Sequence, residues 1–482
     1  MKFVKRFFVC LLLSKTVNIH AQNADSVFKN VLAYNNSSVV SEAKIKINKI
    51  IIEGNKKTNA YILLREIQFK EGDSLPFSQI KNQLKLVRQQ LYNTTLFNEI
   101  SVSPIMISIS EINVLVSVKE RWYLYPFPQF QLGDRNLNEW LVKQHGDISR
   151  VSYGVKFVHH NLTGRRDVLR ITALNGYTKN LSFSYTQPFS NKDLTSGFNF
   201  GAGYAQSKEI AYSTSSLNKL QFLKTNNYVR NNYFINAGYS IRKAIKARHL
   251  FNIIYNKTSV SDSVVSPLYN PDYFKNSVTS KSFADINYTY QYTDVNNIIY
   301  PLKGVTALLI LSKRGFGFTG GINMFSVEGA YNTYHDLSRN WFGSLQFSGK
   351  IKLPFNQPYF NQKAIGYGEN YLRGLEYYVI DGAVYGIIKS TLKKKLVSFS
   401  IPFSIKSSYL SRIPFTIYAK TFADLGYAYN KSAYETALNN KLLYTTGVGV
   451  DIITLYDIHF KVEYSFNQLG KNGLFLHPQG GF

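Results

Sequence analysis

Two textures divide the chain. Between residues 44 and 123, helical and strand periods follow one another; from about Tyr125 only period two is left. Lys44 to Glu53 is rich in isoleucine and runs into Gly54-Asn55, which predicts a strand and then a turn. Thr58 is placed to cap a short helix through Ile67, with Leu63, Leu64 and Ile67 on one face. A second helix is predicted from Phe77 to Asn93, where Ile80, Leu84, Val87 and Leu91 form an apolar stripe. Phe97 to Val102 reads as a strand, and Ile112, Val114, Val116 and Val118 alternate through another. The order β-α-α-β-β predicts two helices over one face of a three-stranded sheet.

Beyond Tyr125 the alternation is long and aromatic. Leu181, Phe183 and Tyr185 alternate with serine and threonine, and Ile286, Tyr288, Tyr290 and Tyr292 with Asn287, Thr289, Gln291 and Thr293. Near the end, Ile458, Phe460, Val462, Tyr464 and Phe466 alternate with His459, Lys461, Glu463 and Ser465. Strands greasy on one face and small or polar on the other fit a barrel with lipid outside and a wet interior. Hydrocarbon offers no partner to a free N–H or C=O, so such strands span only as a closed sheet. Tyr125–Phe482 is 358 residues. At roughly 22 residues per strand and connection, that accommodates about sixteen strands. The predicted fold class is mainly β: a transmembrane antiparallel β-barrel preceded by one small α/β domain.

Composition sharpens this reading. With 34 Phe, 36 Tyr and only 18% charged residues in 482, the chain is no disordered polymer. No apolar run approaches the length of a membrane-spanning helix. Residues 1–21 read as a secretory signal, with Lys2, Lys5 and Arg6 before the apolar Phe7–Leu13 and a cleavage site after Ala21. Cys10, the single cysteine, lies inside it, so the exported chain offers no disulfide or thiol. Removing the signal's four basic residues takes the net charge from +27 to +23. An exported protein meets no genome, so we expect no nucleic-acid partner; anionic headgroups of outer-membrane lipid or an acidic lumen client account for the excess better than nucleic acid does, and scattered loop lysines account for it equally well. No phosphate loop, nucleophile elbow or zinc-protease helix occurs, and no cofactor, metal constellation or catalytic activity is expected. The adjacent His159 and His160 would face opposite sides of a strand. The expected organisation is signal 1–21, linker 22–43, small domain 44–123 and barrel 124–482.

Several stretches together resemble the outer-membrane assembly factor superfamily, the BamA/TamA type. Ile52-Glu53-Gly54-Asn55-Lys56-Lys57-Thr58, Phe69-Lys70-Glu71-Gly72-Asp73 and Leu91-Tyr92-Asn93-Thr94-Thr95-Leu96-Phe97 look like a POTRA domain. Tyr371-Leu372-Arg373-Gly374-Leu375 resembles the Arg-Gly motif of the family's sixth extracellular loop. Phe422-Ala423-Asp424-Leu425-Gly426 resembles its Phe-x-Asp-x-Gly strand, and Phe482 its terminal aromatic. A single POTRA-like unit fits before the barrel. The resemblance implies an outer-membrane location with the small domain in the periplasm. It also implies unfolded outer-membrane protein clients and accessory assembly lipoproteins as partners.

The resemblance further implies that Arg373 folds into the lumen and pairs with an acidic wall residue. Period two agrees, because it puts Asp424 with Tyr418, Lys420, Phe422 and Gly426 on the face opposite Phe415, Ile417, Leu425 and Tyr427. A charge on the lipid face would be penalised, so Asp424 belongs inside. Gly374 lets the backbone approach closely or take a positive φ. On the terminal strand, Leu474, Leu476, Pro478, Gly480 and Phe482 would face lipid. Pro478 cannot donate to a ladder, and Gly480 and Gly481 weaken packing. A thin closing seam at Pro478–Phe482 is expected, through which a client strand would pass into lipid. The alternative is a gated pore that secretes a dedicated protein partner or passes small solutes.

Overall fold

The computed structural model describes residues 43–132, 145, 147–317, 321–402, 412–431, 436–454 and 458–479. The expected signal, the linker up to residue 42, and Gly480, Gly481 and Phe482 lie outside the described residues.

The small domain begins with β1 (Lys44–Glu53) and α1 (Ala60–Leu64), followed by β2 (Ser74–Pro76), α2 (Phe77–Asn93), β3 (Phe97–Met106) and β4 (Glu111–Glu120). Its sheet has four strands in the order β2-β1-β4-β3, not three. The additional strand is β2, three residues paired antiparallel with Lys44–Lys46. The α2 stripe is buried as its spacing predicts, at Ile80, Leu84, Val87 and Leu91, and so are Ile112, Val114, Val116 and Val118 of β4. The first helix departs from expectation. Asn59, not Thr58, stands at its N-cap, because the Thr58 hydroxyl is engaged by the Tyr123 hydroxyl (3.0 Å) and the Asn161 amide (2.8 Å). Ile62 and Leu63 turn inward, while Leu64 is exposed.

Contacts divide the chain into two compact units, and the division runs through this small domain. Of the described residues, those up to Ile51 with Phe69–Lys85 and Val102–Val116 make one unit; Ile52–Gln68, Leu86–Ser101 and those from Ser117 make the other.

The barrel opens with β5 (Leu124–Leu132), β6 (Val151–His160), β7 (Val168–Gly176), β8 (Thr178–Gln187) and β9 (Ser196–Ser207). A separate hairpin, β10 (Glu209–Thr214) and β11 (Leu220–Lys224), interrupts the series. The wall resumes with β12 (Arg230–Ile241), β13 (Ala247–Val260), β14 (Ser280–Val295), β15 (Gly304–Arg314), β16 (Met324–Asp336) and β17 (Trp341–Leu353). Two short strands, β18 (Lys363–Ile365) and β19 (Ile380–Asp381), pair with each other. The wall ends with β20 (Val384–Pro402), β21 (Arg412–Tyr429), β22 (Leu442–Ile453), β23 (His459–Asn467) and β24 (Gly473–Gln479). Without the two short pairs, sixteen strands follow one another in chain order from β5 to β24, every described pairing antiparallel.

Burial follows the alternation. On β21, Phe422, Asp424, Gly426 and Ala428 are buried, while Ala423, Leu425, Tyr427 and Tyr429 are exposed. On β23, His459, Glu463 and Ser465 are buried and Phe460, Tyr464 and Phe466 exposed. The barrel thus turns aromatic and aliphatic side chains outward and polar ones inward. That inversion is stable only with hydrocarbon outside.

Candidate functional site

The loop between β18 and β19 is held at its base by the pairs Lys363↔Asp381 and Ile365↔Ile380. Its tip is braced by two tight turns, Leu375 N–H to Leu372 C=O and Tyr378 N–H to Leu375 C=O, both 3.0 Å. Leu372 and Leu375 are buried in an apolar cluster with Ile365, Ile380, Ile387 and Leu443. This cluster orients Arg373.

The structure places Arg373 against Asp424. Asp424 is 0% exposed and Arg373 only 8%. Arg373 Nε donates to Asp424 Oδ2 at 2.9 Å, Nη2 donates to Oδ1, and the Arg373 backbone N–H adds a third bond to Oδ2 at 3.0 Å. The rest of the guanidinium reaches β20, with Nη1 on the Thr391 hydroxyl at 2.9 Å and Nη2 on the Ser390 carbonyl at 3.1 Å. Its carbon lies 4.1 Å from the centre of the Phe422 ring. Only a planar fork meets all of these partners at once.

Each inward position of the Phe422-x-Asp424-x-Gly426 stretch has a separate task. Phe422 gives the cation a π face, Asp424 gives it a counter-charge, and Gly426 leaves room for Leu372. A Cβ at Gly426 would come within 2.8 Å of Leu372 Cδ1. Gly374 has φ +94°, and a Cβ there would meet Ser465 Cβ at 2.8 Å. Its carbonyl accepts from the Asn467 amide at 2.7 Å. The loop tip is therefore fastened to β20, β21 and β23.

A second polar cluster lies on the same wall, and sequence reasoning did not single it out. Lys420 Nζ donates to Asp451 and, at 2.6 Å, contacts Glu463 Oε1. Lys393 Nζ lies 3.2 Å from Asp451 Oδ2 and donates to the Tyr300 hydroxyl at 2.8 Å; that hydroxyl in turn donates to Asp451 Oδ2 at 2.6 Å. Inward charges at period two on β21, β22 and β23 were the signal available for it.

On β24, Leu474 and Leu476 are exposed, as lipid-facing residues should be, and Phe475 is buried. The ladder of β24 with β23 runs from Gly473↔Ser465 to Gln479↔His459, with Pro478 opposite Phe460. Pro478 therefore enters that ladder without an N–H to give.

A buried ion pair occurs away from the barrel wall. Arg242, in the connection after β12, donates to Glu66 Oε1 at 2.5 Å and Oε2 at 2.9 Å, and Arg166 lies 3.6 Å from Oε1. Burial by itself would raise the Glu66 carboxyl; the hydrogen bond and charge of Arg242, with Arg166 and Arg65 nearby, outweigh it and hold the carboxyl below its ordinary range.

Comparison with known proteins agrees with this geometry. Residues 45–121 match the POTRA family, described as surface antigen variable number repeat. The fold is similar to BamA from Haemophilus ducreyi lacking POTRA domains 1–3, with TM-score 0.50 and 14% identity, over 89% of this chain and 83% of that one. It is also similar to CdiB from Escherichia coli, with TM-score 0.52 and 10% identity, over 90% of this chain and 74% of that one. The POTRA match over residues 45–121, with sixteen antiparallel strands and an outward-facing apolar wall, gives the chain a fold similar to that of BamA and CdiB.

Proposed function

We propose that the protein is an insertion factor that receives unfolded β-barrel clients in the periplasm and passes their strands into lipid beside β24. The observation that carries this reading is Pro478 in the β24 ladder, opposite Phe460. A strand that lacks one donor holds its neighbour by fewer bonds than a full ladder of the same length, which is what transient opening requires. The lid supports the same route. With Leu372, Arg373 and Leu375 packed against the inner wall, the loop occupies lumen space that an axial pore would need. No covalent step belongs to this activity; main-chain pairing supplies affinity without demanding a client sequence.

A disulfide between one cysteine introduced in β5 and one in β24 tests it. Cys10 is the only native cysteine, so a chain processed as expected has no competing thiol. Insertion of barrel clients should stop on oxidation and return on reduction. Full activity of the oxidised form would overturn lateral insertion and favour transport through the lumen.

A further inference from the structure

Three side chains outside the Arg373–Asp424 pair converge on one point. Glu376 lies two residues past Gly374 in the lid loop, Glu463 is on β23, and His477 is on β24. His477 Nε2 is 3.5 Å from Glu376 Oε1 and 3.5 Å from Glu463 Oε2, and the three atoms all lie within 4.8 Å of one another. These three atoms are shielded from solvent and none has a hydrogen-bond partner among the described residues, although the Glu376 and His477 side chains as a whole are only half-buried. Glu463 itself is 2% exposed.

The other oxygen of each carboxylate is occupied. Glu463 Oε1 is held by Lys420 Nζ at 2.6 Å, and Glu376 Oε2 accepts the Gly374 N–H at 2.7 Å. Those contacts orient the two carboxylates and leave one oxygen of each aimed at the imidazole nitrogen. This is the outer-shell arrangement that surrounds metal ligands. A protonated His477 would be a poorer explanation. One Nε2–H cannot serve two carboxylates, and 3.5 Å is well beyond a charge-assisted N–H···O bond of about 2.7–2.9 Å.

The two 3.5 Å separations from His477 Nε2 instead suit an ion among the three atoms, with the third edge no longer than 4.8 Å. Ligands about 2.0–2.2 Å from a tetrahedral centre stand about 3.3–3.6 Å apart along each edge. An imidazole nitrogen with two carboxylate oxygens is a zinc-type donor set, whereas calcium and magnesium prefer six or more oxygens. We infer that Glu376, Glu463 and His477 form a binding site for a divalent transition metal of the zinc type, joining the lid loop and β23 to the terminal strand. Three protein ligands leave the fourth position to water. The bound ion ties β24 to the lid through His477, so occupancy holds the lid and the terminal strand together.

The test uses the full exported chain, free of affinity tags, folded in detergent and stripped with chelator. Co²⁺ serves as the spectroscopic probe and Zn²⁺ as its competitor. The wild-type protein should take up one equivalent of Co²⁺ with the intense visible bands of a tetrahedral site, and Zn²⁺ should displace it. His477→Ala should abolish those bands, and Glu376→Gln should weaken uptake by at least tenfold. His249→Ala, on β13, should leave uptake unchanged. Glu376 lies in a loop, so the Glu376→Gln variant decides the matter if His477→Ala fails to fold. Absence of stoichiometric uptake by the wild type, or undiminished uptake in Glu376→Gln, would overturn the site. The readout is metal uptake, so its failure leaves the insertion reading untouched.

Discussion

Removing the Arg373 side chain leaves the Asp424 carboxylate fully buried with the Arg373 backbone N–H as its remaining donor from the loop. Breaking one side of a buried ion pair costs about 3–5 kcal/mol, and loss of the Phe422 contact adds about 0.5–2 kcal/mol. The barrel need not unfold to relieve this strain, because the loop can lift and let water reach Asp424. The cost therefore appears as an increase in the lifted population, about a hundredfold or more for 3 kcal/mol at a factor of ten per 1.4 kcal/mol. Amide exchange of the peptide spanning 366–379 reads that population directly, since Arg373 N–H, Leu375 N–H and Tyr378 N–H are all bonded only while the tip is folded in. Arg373→Ala should accelerate exchange there and leave β13 and β14 unchanged. Asp424→Ala should do the same to a smaller degree, because Arg373 keeps Thr391 and the Ser390 carbonyl. The double variant should resemble the worse single one, with a coupling of about 2–3 kcal/mol. If the two effects simply add, the residues do not form one contact and the pair does not latch the loop.

Gly426→Ala should also lift the lid without touching a charge, because its Cβ would displace Leu372; exchange of the same peptide checks it. Gly374→Ala adds about 1–2 kcal/mol of left-handed backbone strain to its clash with Ser465, and should exceed Gly426→Ala in the same assay. Backbone amides of β24 should exchange faster than those of His459–Asn467 on β23, and equal protection would count against a weak terminal strand. Leu425→Arg places a charge on the outer face of β21 and should destabilise the folded barrel by up to about 2–4 kcal/mol in denaturant titrations in lipid.

Where the sequence was legible, one residue's chemistry was enough to decide its position. An aspartate among aromatics at period two has to face inward, so Asp424 could be oriented without coordinates, and the α2 stripe fixed its own buried face. The misses have a different origin. Three residues, Ser74-Leu75-Pro76, are too few to show a period, so β2 was invisible. Thr58 has the side chain of a helix cap, but Tyr123 and Asn161 bind its hydroxyl from 65 and 103 residues away. On β20 the register shifts between Lys395 and Val397 and leaves Leu396 and Val397 both exposed, so counting alternate positions along that strand fails midway. The Lys393–Asp451–Lys420–Glu463 cluster draws on four strands, and the Glu376–Glu463–His477 cluster on a loop and two strands. Their assembly depends on inter-strand register, which no single strand encodes.

Glu66 offers a last perturbation whose sign follows from the fold. Its carboxyl is held below the ordinary glutamate range, so the unfolded chain binds a proton more readily than the folded one. The stability it contributes is complete above the unfolded value of about 4.3 and is lost as pH falls through the lower folded value. Arg242 loses its bidentate partner in the same window and keeps the Ile245 carbonyl, at 2.7 and 3.0 Å, and the Phe189 ring face. Exchange of residues 60–68 should therefore stay slow at neutral pH and rise once the medium is more acidic than an ordinary glutamate. Glu66→Gln should be fast at every pH, because the neutral amide cannot hold two guanidinium nitrogens as a carboxylate does; removing one partner of a buried pair costs about 3–5 kcal/mol. A wild-type profile that stays flat through the acid range would mean that Arg242 and Glu66 do not pair in the folded protein.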